Sequence, residues 1–337
     1  MKSKFKNLGY YVAGTMLLGG LMFSSCKKNS SPSHAGPKPP TNPGGYDSSN
    51  QIASASLTDF WSFNGNVNDT KGSLSGTNNG GTYITGMQSG TQAWQGSSAT
   101  YSYITYPNAG NALSSLTSFT LSVWINGNQP VPNPGATPAA GLGEQAFFQL
   151  ANDSAWQSNI HIGLAPFTSV AGGVTTPNSD TLQLKVILSN FSNGIQWGNY
   201  YVTAYLDTAV SKWTNVIVTY SAASSTLNVY ENGTAVPING PYTTYPGVTG
   251  GLKLYMSDPG SVSNVNNATG WGSLVFKNVS GVVIGAWSVN TTPALSVGGI
   301  QPWAGNYTGA MERLRVYNTA LSASDANSLY ILEKAGF

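Results

Sequence analysis

Charge is scarce in this chain: 8% of its 337 residues are Asp, Glu, Lys or Arg, against about 25% in typical soluble proteins. Arginine occurs only at Arg313 and Arg315. With no basic stripe to follow phosphates, nucleic-acid binding is excluded as the main activity. When Lys2, Lys4 and Lys6 are set aside as part of an export signal, the 14 basic residues fall to 11 against 12 acidic ones. Nothing in that balance selects a charged partner. Histidine is limited to His34 and His161 and cysteine to Cys26, which excludes a Cys/His zinc site and a disulfide within the chain. No P-loop, dinucleotide or serine-nucleophile pattern occurs. The apolar stretch Val12–Phe23 is too short for a membrane span.

What fills the space left by charge is Gly, Ser, Thr and Asn, with 9 Trp and 18 Tyr. A surface of neutral hydrogen-bonding groups and aromatic faces suits a neutral polyol such as a glycan.

The N-terminus reads as an export signal, with a lysine-bearing start, a short apolar stretch and small residues before Cys26. Phe23-Ser-Ser-Cys26 resembles a bacterial lipobox, which implies that Cys26 becomes the lipidated first residue of the mature protein. Residues 26–50 are rich in Ser, Pro, Gly and Asn and read as a flexible tether. The expected organisation is a signal peptide at 1–25, lipidated Cys26 and tether at 26–50, and one domain at 51–337. That implies anchoring to the bacterial outer membrane by lipid, as in Bacteroidetes-type lipoproteins. Lys27 and Lys28 occupy the places where acidic residues direct such proteins to the surface, so periplasmic face and cell surface both stay open.

Within 51–337 the pattern is all-β. Val216, Val218 and Tyr220 alternate with Asn215, Ile217 and Thr219, and Leu227 and Val229 alternate with Asn228 and Tyr230. Asn232-Gly233 supplies a type I′ turn after the second strand. Phe119, Leu121, Val123 and Ile125 take one face of a further strand and Thr120, Ser122 and Trp124 the other, while Gln183, Lys185 and Ile187 oppose Leu182, Leu184, Val186 and Leu188. Four stretches, Gly127–Gly143, Pro166–Asp180, Pro237–Gly250 and Asp258–Gly272, read as long loops. Ser322-Ala-Ser-Asp325 reads as a helix cap, with Leu329, Tyr330 and Ile331 packing the helix down.

The sequence W-x-x-V-x-V-T-Y followed by L-x-V-Y-x-N-G, from Trp213 to Gly233, resembles the central hairpin of laminin-G-like domains in the concanavalin A-like lectin and glucanase superfamily. Phe60-Trp-Ser-Phe-Asn-Gly-Asn-Val-Asn-Asp69 and Phe119-Thr-Leu-Ser-Val-Trp-Ile125 are similar to its opening segments. Val297-Gly-Gly299, Tyr307-Thr-Gly309 and Leu314-Arg-Val-Tyr-Asn-Thr-Ala-Leu-Ser322 are similar to its closing signature. The resemblance implies a concanavalin A-like jelly-roll β-sandwich with long loops and one short C-terminal helix. It also raises a structural calcium, for which Asp69 and Glu312 are the candidates; the acidic pair usual before "R-V-Y" is reduced here to Met311-Glu312. The fold hosts binders, enzymes and structural modules alike.

Catalytic readings meet specific gaps. A retaining glycosidase needs two carboxylates about 5 Å apart, and the superfamily's E-x-D-x-x-E strand is missing. Asp153, Asp207 and Glu231 are the acids that two strands would have to bring together. A polysaccharide lyase would rest on His161, in Asn159-Ile-His-Ile-Gly163, without a partner Arg strand. The leading expectation is a non-catalytic, carbohydrate-binding lipoprotein of the envelope, whose partner is a glycan or another envelope-associated ligand. A glycoside hydrolase or polysaccharide lyase of the same fold is the alternative, and a structural or adhesion module without a sugar site the third reading. The stacking candidates are the loop aromatics Trp156, Trp197, Tyr242, Tyr245, Trp271 and Trp303, with Gln157 and Asn159, Gln196 and Asn199, or Gln301 nearby to hold hydroxyls.

Overall fold

Alternation and one tight turn build the centre of the molecule. The computed structural model describes residues 37–97, 100–128, 143–171, 174–192, 199–207, 209–240, 247–255, 269–301 and 304–337. Strands β1 (Leu57–Trp61), β2 (Thr77–Asn79), β3 (Thr82–Thr85), β4 (Gln92–Gln95), β5 (Tyr103–Tyr106), β6 (Phe119–Asn126), β7 (Glu144–Asn152), β8 (Ala155–Ala171) and β9 (Val174–Ser189) come first. They are followed by β10 (Asn199–Leu206), β11 (Trp213–Ser221), β12 (Thr226–Glu231), β13 (Thr234–Ala235), β14 (Ile238–Asn239), β15 (Leu252–Lys253), β16 (Val279–Ile284), β17 (Ala304–Asn306) and β18 (Ala310–Tyr317). Helices α1 (Gly110–Ser114) and α2 (Ala323–Ala335) complete the set. The β12–β13 turn has Asn232 at φ 51° and Gly233 at φ 75°, the positive pair that a type I′ turn requires.

The described strands form two sheets. The first runs β13-β12-β11-β6-β18-β4-β3, with β1 on β18 and β15 on β12; the second runs β14-β10-β9-β8-β7-β16-β5-β2, with β17 on β7. All ladders are antiparallel except the short β17–β7 pair. The opening and closing segments meet, since Phe60 pairs with Arg315 and Trp61 with Leu314. This is a jelly-roll β-sandwich. Between the sheets lie the predicted inward faces: Phe119, Leu121, Val123 and Ile125 from β6, Val216, Val218 and Tyr220 from β11, and Leu182, Leu184, Val186 and Leu188 from β9.

The outer face of the first sheet is covered as well. Ser322 caps α2 by accepting from the Asp325 N–H, and Leu329 and Leu332 pack with Ile217, Tyr230 and Tyr317. Trp124 is therefore only 2% exposed; it stacks on Tyr330 at 5.7 Å and donates its indole N–H to Glu333 Oε2 at 2.7 Å.

Two segments depart from the sequence reading. The stretch 166–180 is not a loop: β8 and β9 continue through it as a hairpin, pairing Thr168 with Pro177 and Ala171 with Val174. Past Pro166 neither strand has a further lateral partner among the described residues, so prolines that would break a central strand are tolerated there. The compact unit spans Pro39–Phe337 and so takes in residues 39–50, read above as tether. Gly44 donates to Ser328 Oγ at 2.9 Å, Tyr46 donates its hydroxyl proton to Asp325 Oδ1 at 2.8 Å, and Ser49 donates to the Phe337 carbonyl at 3.2 Å. Most of these contacts are hydrogen bonds, with Tyr46 alone packing on the apolar cluster under α2, so mean hydropathy did not register them.

Candidate functional site

The outer face of the second sheet carries a connected polar cluster next to a predicted stacking residue. Strand register sets its rows. Gln149 of β7 lies beside His161 of β8 and Ile187 of β9; Ala146, Gly163, Lys185 and Thr203 form the next row; Ala165, Gln183 and Tyr205 the row after. Ile187 and Lys185 thus take the outward side that alternation gave them.

The side chains in these rows hold one another. The Ser288 N–H donates to Gln149 Oε1 at 2.6 Å, which turns the Gln149 amide nitrogen toward His161 Nδ1, 2.7 Å away. Nδ1 must then accept, so the imidazole proton sits on Nε2. Nε2 donates to Glu144 Oε1 at 2.6 Å, and Glu144 Oε2 meets Lys185 Nζ at 3.0 Å. Burial pushes the Glu144 carboxyl up, but His161 and Lys185 outweigh it and hold the group below its ordinary value. Gly163 makes this possible: a Cβ there would lie 2.9 Å from His161 Nε2 and 3.2 Å from Glu144 Oε1.

Trp287 closes the cluster. Its ring stacks on His161 with centroids 4.0 Å apart, and its indole N–H donates to the Glu144 carbonyl at 3.0 Å. Trp156 leans on Trp287 at 6.0 Å. His161 is fully buried by this lid, which closes off the residue on which the lyase reading would rest. Around the buried cluster, Trp156, Gln183, Lys185, Thr203 and Tyr205 stay half-exposed. Fixed polar groups thus border aromatic and amide side chains within reach of solvent.

Of the predicted stacking residues, Trp156 lies at this surface. Trp271 does not: it is 6% exposed and packed in the main core, so it anchors its loop. Trp197, Tyr242, Tyr245 and Trp303 lie outside the described residues, as does Cys26. Asn159 is buried and bonds the backbone of Ala151 and Lys277, which makes it a loop tie. Asp153 is in an exposed turn, and Glu231 Oε2 accepts the backbone N–H of Asp207 at 3.3 Å, a contact of main chain with carboxylate and not of two carboxylates.

The calcium candidates do not share a site. Asp69 Oδ1 accepts N–H bonds from Phe60, Lys71 and Gly72, and Oδ2 accepts one from Leu74. Glu312 accepts from Met87 at 2.6 Å and pairs with Arg313 at 3.5 Å. Calcium takes six to eight oxygen ligands, and here the carboxylate lone pairs face N–H donors and a guanidinium. No cluster of three His, Cys, Asp or Glu occurs among the described residues. Asp69 and Glu312, so engaged, do not make a site for the ion between them.

Sequence reasoning placed Lys185 and Gln183 outward but missed Glu144, Gln149 and Trp287 as partners. The available signal was Gln149, a polar residue that interrupts the apolar run of β7.

No family model matches the chain, and no curated protein matches it. Among solved structures it is similar to the binding domain of Paraclostridial Mosquitocidal Protein 1, at 14% identity over 82% of this chain and 52% of that one, with a TM-score of 0.45. It is similar to domain 4 of AbnA, a GH43 extracellular arabinanase from Geobacillus stearothermophilus solved with arabinotriose, at 18% identity over 81% of this chain and 98% of that one, TM-score 0.42. The botulinum neurotoxin serotype C1 binding domain gives 14% identity, 82% and 52% coverage and a TM-score of 0.47. The chain thus spans about half the length of the two toxin chains.

Proposed function

We propose that this chain is a non-catalytic glycan-binding module, tethered to the outer membrane by lipid on Cys26, and that the outer face of β8–β10 contacts the glycan. The observation that carries the reading is the half-exposed set Trp156, Gln183, Lys185, Thr203 and Tyr205 beside the buried Glu144–His161 pair. Aromatic faces receive sugar C–H groups, amide and hydroxyl groups take sugar hydroxyls, and buried partners keep the surface rigid enough to recognise a shape. Weak overall charge favours a neutral glycan.

Catalysis is less well supported. His161 is covered by Trp287, and Nδ1 and Nε2 are both engaged, so no substrate proton has a path to it. A glycan panel scored for both binding and reducing-end release tests the proposal. Saturable binding without turnover, weakened about 5- to 100-fold by Tyr205→Ala or Trp156→Ala at unchanged thermal midpoint, is the expected result. Turnover would move the assignment to the enzyme reading, and variants that lose binding only as they lose stability would move it to a structural module.

A further inference from the structure

We propose a second ligand site on the far side of the molecule: a pocket beside the end of α2 that takes a single neutral sugar ring. The cavity measures about 280 Å³, and its lining includes Ser62, Asn64, Glu312, Arg313, Arg315 and Phe337. It does not depend on the β8–β10 surface, which lies on the other sheet.

A backbone irregularity builds it. In a regular strand Glu312 and Arg313 would face opposite ways, but the β18 register against β6 shifts between Glu312 and Arg315 and Arg313 sits at φ 53°. The bulge brings Glu312, Arg313 and Arg315 to one cavity. A long side chain at positive φ is strained, and such strain persists chiefly where a side chain must be aimed. Both arginines of the whole sequence line this pocket.

Charge balance and free donors define the ligand. Arg315 Nε meets Glu333 Oε1 at 2.7 Å and Arg313 Nε meets Glu312 Oε1 at 3.5 Å. No surplus charge is left to select an anion. Arg313 Nη1 donates to the Glu333 carbonyl at 3.3 Å, leaving Nη2 without a protein partner among the described residues. Asn64 accepts the Gln92 N–H through Oδ1 at 3.0 Å, which leaves its amide nitrogen to donate. Hydroxyl groups satisfy these donors, accepting from Arg313 and Asn64. Phe60, with the Arg315 guanidinium 4.1 Å over its ring, and Phe337 supply apolar contact. The volume is at the small end for ligand pockets, which suits one ring, a chain end or branch, rather than a stretch of polymer.

The test titrates the mature chain with methyl glycosides of glucose, galactose, mannose and arabinose, and with glucuronate, followed by saturation-transfer and amide-shift NMR. One neutral glycoside is expected to bind saturably and to shift Asn64 and Arg313. Arg313→Gly and Asn64→Ala should each weaken it by about ten-fold. The glycine variant releases the positive-φ strain but also removes the partner of buried Glu312, so thermal midpoints of both variants are measured beside their affinities and Asn64→Ala carries the test if the glycine variant is destabilised. Lys185→Ala on the other sheet should leave this binding unchanged, so the two sites can fail separately. Absence of binding across the panel, unchanged affinity in both pocket variants, or glucuronate binding about ten-fold tighter than every neutral sugar would overturn the assignment.

Discussion

Replacing Glu333 by Gln should be among the most damaging isosteric changes in this domain. Glu333 is fully buried; Oε1 accepts from Arg315 Nε and Oε2 from Trp124 Nε1, both at 2.7 Å. A glutamine keeps the shape, so no cavity opens, but it offers one acceptor where two donors wait. Either Trp124 or Arg315 then faces an amide N–H, and an unsatisfied buried donor costs about 1–3 kcal/mol. The larger part is electrostatic. Arg315 is 2% exposed and cannot shed its proton, and its remaining partners, Asn50 Oδ1 at 3.1 Å and Ser49 Oγ at 3.4 Å, are neutral. Breaking one side of a buried pair costs about 3–5 kcal/mol in total. Guanidinium unfolding followed by tryptophan fluorescence measures it. The double variant Glu333→Leu with Arg315→Met removes both charges and should recover at least half of the loss, since apolar replacement of a complete buried pair is often neutral. A cost below about 1 kcal/mol for Glu333→Gln, or a double variant less stable than the single one, would refute the claim that α2 is pinned through this carboxylate.

Asp59 has its pKa raised from 3.8 to about 7 by burial and by the neighbouring Asp69, against an opposing hydrogen bond from Thr58. The folded state therefore binds the extra proton across that window, stability falls as pH rises through it, and the charged form costs up to roughly 4 kcal/mol. Asp59→Asn should stabilise the protein at pH 8 and lose that advantage by pH 4, as thermal midpoints across pH will show. Trp271→Ala should cost about 3–5 kcal/mol of stability in denaturant titrations while leaving the intrinsic glycan affinity of the folded fraction unchanged. Cys26→Ala should move the exported protein from the membrane to the soluble fraction; wild-type protein that is soluble and carries no acyl mass would end the anchoring proposal. Glycan affinity should change little between low and moderate salt in calorimetry, because the contacts at the β8–β10 face are mostly uncharged.

What the sequence determined by itself is whatever depends on local periodicity and backbone chemistry. The two-residue alternation of β6, β9 and β11 assigned the faces that meet between the sheets, because a one-residue slip would turn Val216 and Val218 out of the core. Asn232-Gly233 announced its turn because few other pairs reach positive φ cheaply, and Ser322 announced α2 because an exposed helix start needs an acceptor. Tertiary structure decided the rest. Trp124 and Ile217 sit on the side that alternation marks as outward, yet they are buried, because α2 folds back over that sheet. The 39–50 segment docks through single hydrogen bonds and the one aromatic ring of Tyr46, too little to leave a compositional signature. Glu144, Gln149, His161, Lys185 and Trp287 are spread over more than a hundred residues and converge only through the register of β7, β8 and β9 and the return of the chain after β16. Glu312 and Arg313 share a pocket only because a bulge reverses the alternation at that point. Sequence fixes which side of a strand a residue takes; the packing of distant elements decides whether that side is solvent, core or site.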